Sequence, residues 1–204
     1  QRFHNKNHEH FKKAIAPNHE RIIVHTSNFR KVKRVEDVVR IFHKVTQEVP
    51  SKLLMVGDGP ERRNAEELAR ELGITDSIRF LGKQDAIEEI LSIADLFLMP
   101  SGSESFGLAA LEAMAGKVPV VSSNTGGLPE LNKEGFSGFL SDVGDIDDMA
   151  KNSIYILEDC QRLNEFKENA LQRAKDFELS KIVPIYENFY SEVIEKVKKG
   201  NISN

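Results

Sequence analysis

The sequence predicts an α/β protein built on a doubly wound parallel sheet, and three observations carry that prediction. From Arg21 to Leu140, short apolar runs rich in β-branched residues alternate with helical patterns. The runs are apolar throughout, as strands covered on both faces must be. From Asp145 onward the pattern is helical only. Right-handed crossovers close such a series into a Rossmann-like sheet of about six strands, with extra helices at the C-terminal end.

The elements follow in order. "RIIVHTS" (Arg21 to Ser27) is a buried strand. "VEDVVRIFHKVTQEV" places Val35, Val38, Val39, Phe42 and Val45 on one stripe of a helix. "KLLMVGDG" is a second strand ending in Gly57 and Gly59, and "ERRNAEELARELG" a helix stopped by Gly73. "SIRFLG" and "DLFLMP" are strands three and four, with the helix "DAIEEILSIA" between them. "FGLAALEAMAG" is a helix closed by Gly116, followed by the strand "VPVVSS", the short helix "LPELN" and a last strand at "GFL". Three helical stretches complete the chain, starting at Asp145, Cys160 and Leu179; Pro184 should start or kink the last.

At 204 residues the chain can bury a full core. A net charge of −4 argues against nucleic acid as a partner, since nucleic-acid-binding domains are usually strongly basic. No apolar run approaches a membrane span, and the single cysteine, Cys160, fits a reducing cytoplasm. "QRFHNKNHEHF" opens without Met and within a helical pattern, which reads as part of a longer protein. His4 and His8 share a helical spacing, but no cysteine or placed carboxylate completes a metal set, so a solvated terminus is the better account. "DID" at Asp145–Asp147 has the look of a metal-binding pair, yet it opens a helix, where aspartates cap.

In such a sheet, ligands gather beyond the carboxyl ends of the strands. No Walker loop, G-x-G-x-x-G or G-x-S-x-G element lies there. "SNFRKVKR", after strand one, instead packs Arg30, Lys31, Lys33 and Arg34 into eight residues beside Ser27 and Asn28. At that position one or two cations can neutralise a diphosphate. After strand four, "SGSESFGLAALEAMAG" offers a helix mouth. Ser105 is expected as its N-cap, with Phe106, Gly107 and Leu108 in the first turn as an anion site. Glu104 lies at the mouth and Glu112 eight residues on, about 12 Å along an ideal helix. Glu104 alone is also a plain helix-dipole acid and Glu112 a surface acid. Glu112 nevertheless interrupts a mostly apolar stretch that should be buried, where a carboxylate is costly unless used. Two acids with an anion site between them suit ribose, diphosphate and sugar in that order.

Pro100-Ser101, Glu104-Ser105-Phe106-Gly107-Leu108, Leu111-Glu112-Ala113-Met114, Gly116, Pro119-Val120 and Gly126-Gly127 together resemble the retaining GT-B glycosyltransferases, in particular their sucrose-synthase-like family. The resemblance covers about Arg21 to Gly144. "SNFRKVKR" with "VEDVVRIF" is similar to a narrower group that moves N-acetylglucosamine from UDP to L-malate at the start of bacillithiol biosynthesis.

The resemblance implies that this is the C-terminal, donor-binding half of a GT-B fold. It implies Lys33 on the donor diphosphate, Glu104 on the sugar hydroxyls near the reaction centre, and Glu112 on the nucleotide ribose. Lys33 and Glu104 would carry the catalytic roles. The Phe106, Gly107 and Leu108 amides would face the diphosphate and sugar, with Gly82 and Lys83 meeting the base and Gly57 in the neighbouring strand-end turn. Asn28 stands where many relatives have arginine, so either Arg30 substitutes or Asn28 donates instead. The donor would be UDP-N-acetylglucosamine, with no metal and no cofactor. L-malate would bind through an N-terminal domain absent from this chain. Residues 1–180 would form the donor domain, and 181–204 a helix crossing back to the missing half; a homo-oligomer is possible.

Other readings stay open on residues alone: another UDP- or GDP-sugar transferase, a UDP-N-acetylglucosamine epimerase of similar build, or a non-enzymatic receiver-like module. The last would want acids after the early strands, where this chain has Ser27, Asn28 and four cations.

Overall fold

The computed structural model describes residues 8–200; His4 lies outside them. Helix α1 (His8–Ile15) leads into strand β1 (Arg21–Thr26). Then come α2 (Val35–Thr46), β2 (Ser51–Val56), α3 (Arg62–Glu71), β3 (Ile78–Gly82), α4 (Ile87–Ser92), β4 (Leu96–Met99), α5 (Leu108–Ala115), β5 (Val120–Ser123), α6 (Leu128–Leu131) and β6 (Gly138–Ser141). Helices α7 (Ile146–Glu158), α8 (Cys160–Ala174) and α9 (Leu179–Gly200) finish the described chain. Every strand and helix expected from the sequence is present.

The six strands form one sheet in the order β3-β2-β1-β4-β5-β6, and all pairs are parallel. Strand alternation divides the interior in two. Ile23, Leu53, Met55, Leu96, Leu98 and Val121 point to a core closed by α2, α3 and α7. Ile22, Val24, Leu54, Phe97, Met99 and Val120 point to the other, closed by α1, α4, α5 and α6. Helix α8 adds Leu163 and Phe166 to the first core and Ala170 and Ala174 to the second. Helix α2 shows why the pattern was readable: Val35, Val38, Val39, Ile41, Phe42 and Val45 are all buried, each stabilising by about 1.5–3 kcal/mol.

Local chemistry sets the ends. Asp145 caps α7 by accepting from the Asp148 amide at 2.9 Å, and Asp147 pairs with Lys44; the "DID" aspartates are therefore a cap and a surface ion pair. Among the described residues, no three His, Cys, Asp or Glu side chains gather as a metal set. Helix α9 begins at Leu179 and runs through Pro184 in its second turn. The proline therefore does not start the helix; sixth in it, Pro184 has no N–H to give the Ser180 carbonyl and so removes one intrahelical bond. No helix of the described residues is long and apolar enough to cross a membrane.

Candidate functional site

The strand order turns around between β1 and β4, whose connections leave in opposite directions. A crevice opens beyond their carboxyl ends at such a switch point. The loops after β1 and β4 are the two that the sequence marked with cations and with Glu104.

The β1–α2 loop is held from below. Phe29 is fully buried in the first core. His25, 1% exposed, bonds the Leu98 carbonyl through Nδ1 at 2.9 Å and the Ser27 hydroxyl through Nε2 at 2.8 Å. A carbonyl only accepts, so Nδ1 carries the hydrogen and Nε2 accepts from Ser27. The Ser27 Oγ in turn accepts from the Phe29 amide at 3.3 Å. Burial pushes the His25 imidazole down to about 4, against the Leu98 carbonyl and with Lys33 adding to the drop. His25 is thus neutral at pH 7 and clamps the loop to both switch-point strands. Gly57 (φ 123°) is buried beneath the same loop, where a Cβ would lie 1.8 Å from the Ser27 carbonyl oxygen.

The four cations have separate fates. Arg34, itself at φ 50°, pairs with Asp37 at 2.5 Å. Lys33 Nζ lies 2.5 Å from Glu104 Oε2, with both side chains mostly enclosed. Arg30 and Lys31 are exposed, with no side-chain partner among the described residues. A backbone bond from the Gly102 amide to the Val32 carbonyl, 2.7 Å, ties the two loops together beside the Lys33–Glu104 pair.

The mouth of α5 differs from expectation. Gly107, at φ 93°, is the N-cap, and no side chain caps the helix. Ser105 is therefore not the cap, because the left-handed turn at Gly107 breaks the helix before reaching it. A side chain at Gly107 would be strained at this φ and would meet the Leu128 methyl at 2.7 Å, so glycine is favoured in this turn. The open first-turn amides are those of Leu108, Ala109 and Ala110. Phe106 lies ahead of them, packed edge-on against Phe177 at 5.8 Å.

Glu112 is corrected as well. It is the fifth residue of α5, whose helix begins only at Leu108, so no continuous helix runs from Glu104 to it, and it is exposed along with Leu108. The helix buries Ala110, Ala113 and Met114 instead. Glu112 is therefore not a buried carboxylate, because an eight-residue helix needs only one buried stripe.

Asn28 and Lys83 are exposed, and Gly82 accepts from the Gly57 amide at 2.8 Å. The sequence reading missed His25, which had no motif around it. It also missed the hydroxyls of Thr26 and Ser123 and gave Ser101 no role beyond its place in the quoted motif; among the described residues these three are buried without a hydrogen-bond partner at the ends of β1, β4 and β5.

Glu104 is fixed through its backbone. The Gly127 amide donates to the Glu104 carbonyl at 3.1 Å, and a Cβ on Gly126 (φ 55°) would sit 1.8 Å from that oxygen. Gly126→Ala is expected to cost about 2–4 kcal/mol by chemical denaturation, from strain plus overlap. Gly135→Ala shares the positive φ (67°) but meets nothing within 4 Å; it should cost about 1 kcal/mol.

By fold and crevice this is a domain of the GT-B glycosyltransferase class. It superposes on a sucrose-phosphate synthase from Thermosynechococcus elongatus with a TM-score of 0.78 and 27% identity, covering 91% of this chain and 49% of that one. It superposes on Anabaena Alr3699/HepE, solved with UDP and glucose, with a TM-score of 0.83 and 22% identity, covering 93% and 54%. The chain belongs to the glycosyl transferases group 1 family, which it matches over residues 6–173. It is 45% identical over 188 residues to the N-acetyl-alpha-D-glucosaminyl L-malate synthase of Bacillus anthracis, covering 90% of this chain and 48% of that protein. The chain spans about half the length of the curated relatives it matches.

Proposed function

We propose that this chain is the donor-binding half of a retaining, metal-independent transferase that moves N-acetylglucosamine from UDP-N-acetylglucosamine to L-malate. The observation that carries the reading is the Lys33–Glu104 pair over the switch-point crevice, in a chain 45% identical to a malate synthase of that kind.

In this reading the diphosphate lies between Lys33 and the open amides of α5. Both stabilise the charge that grows on the leaving group, the task a metal would otherwise perform. Arg30 is the better second phosphate ligand than Asn28, since it is cationic, exposed and without a side-chain partner among the described residues. Glu104 accepts from the sugar hydroxyls. Glu112, on the open face of α5, accepts from the ribose, and the backbone at Gly82 and Lys83 meets the base. Ser27 and Gly57 shape the loop rather than touch the donor: the Ser27 proton is given to His25, and Gly57 is buried. Retention follows the family's route, in which the departing diphosphate helps take the acceptor's proton.

The acceptor half lies on another domain. Tyr186, Phe189, Tyr190, Ile194 and Val197 leave an apolar stripe exposed along α9, and this supports a helix that braces the second half.

The test is product analysis of the longer enzyme given UDP-N-acetylglucosamine, with and without L-malate. An α-linked N-acetylglucosaminyl malate should form only when malate is present. An epimerised sugar nucleotide without malate, or transfer to a different acceptor only, would overturn the reading. The 204-residue chain by itself should bind UDP and transfer nothing.

A further inference from the structure

Lys33 and Glu104 enter the proposed function as separate contacts, one for phosphate and one for sugar, yet the structure pairs them with each other. The contact is 2.5 Å, and the side chains are only 18% and 15% exposed. It is built rather than incidental. The two loops are tied by the Gly102–Val32 backbone bond, and the Glu104 backbone is pinned by Gly126 and Gly127. The neighbouring cation Arg34 is engaged by Asp37, so it does not relieve Lys33 of its partner.

An incoming diphosphate needs the ammonium that Glu104 already holds. Two anions on one ammonium repel, and a displaced carboxylate gives up a charge-assisted bond. A bare nucleoside diphosphate offers that carboxylate no donor in return. A sugar on the diphosphate does, because its hydroxyls donate to Glu104 just as Lys33 turns to phosphate.

We propose that Glu104 is a specificity-determining residue that biases the site toward diphosphates bearing a sugar and against the bare nucleoside diphosphate, by reclaiming Lys33 whenever no sugar hydroxyl holds it. The inference rests on the donor-site reading and adds a consequence for turnover. Once the sugar has left, Glu104 returns to Lys33 and loosens the diphosphate product.

Calorimetry on the chain with two probes, UDP and UDP-N-acetylglucosamine, tests it. Glu104→Gln keeps the shape and removes the charge; it should tighten UDP roughly three- to ten-fold and should not tighten UDP-N-acetylglucosamine. In a Lys33→Ala background the same change should leave UDP affinity unmoved, since the competition needs Lys33. A Glu104→Gln chain with unchanged denaturation midpoint that binds UDP no better than the unsubstituted chain overturns the inference while leaving the donor site standing. So does a gain that survives without Lys33. If the unsubstituted chain binds neither probe, the donor-site reading falls and the inference falls with it.

Discussion

Asp95→Ala is expected to lower folding stability by about 3 kcal/mol, the range for removing one partner of a buried ion pair. Asp95 is 1% exposed at the entrance to β4. Its carboxylate accepts from Lys12 at 2.9 Å, Lys167 at 2.6 Å and the Ile22 amide at 3.0 Å. One group therefore joins α1, α8, β1 and β4 on the side of the sheet away from the crevice. Alanine leaves the Ile22 amide without its acceptor and two lysines facing each other, although both lysines reach solvent, which limits the cost. Asp95→Asn can keep an acceptor for the amide and should lose less.

The pH dependence has a definite sign. Burial alone would raise the Asp95 carboxyl, but Lys167, then Lys12, and the Ile22 amide hold it below its ordinary 3.8. A carboxyl depressed on folding contributes fully above its unfolded value and loses that contribution as pH falls through the folded one. Urea midpoints of the unsubstituted chain should decline below about pH 4, and those of Asp95→Asn more shallowly. Equal slopes would show that the carboxylate is not held by its charge partners.

Lys33→Ala is expected to weaken UDP binding by roughly ten- to a hundred-fold, the range for losing a hydrogen bond to a charged group. Lys33 is the most enclosed of the four cations of the loop after β1; Arg34 is held by Asp37, and Arg30 and Lys31 lie out in solvent. Arg30→Ala should cost less, since an exposed cation contributes mainly screened attraction. Calorimetry at two salt concentrations separates them: the Arg30 effect should fade with salt and the Lys33 effect persist. Undiminished UDP affinity in Lys33→Ala would remove Lys33 from the site.

The residues reveal much of this in advance. Alternation of apolar runs and amphipathic stripes is local, so the elements from β1 to α9 could be placed from sequence, as could Asp145 at the start of α7. Glu104, the cation-rich loop after β1 and the open helix mouth were also legible, because position after a strand is itself a signal; only the family resemblance singled out Lys33 among the four cations. Two local inferences failed. Ser105 has a capping side chain, but Gly107 makes the left-handed turn that starts α5. Glu112 interrupts an apolar run, but the helix is small and turns that side outward.

The sequence by itself determined the class of fold, the strand ends that matter and the chemical types gathered there. Only the tertiary structure decided that β1 and β4 are neighbours. With that pairing came the His25 bridge from Ser27 to Leu98 and the meeting of Lys33 with Glu104, 71 residues apart. The reason is physical. Periodicity and capping are fixed by residues a few positions apart, whereas strand order follows from burying both faces of a whole sheet. No short stretch of chain carries that information.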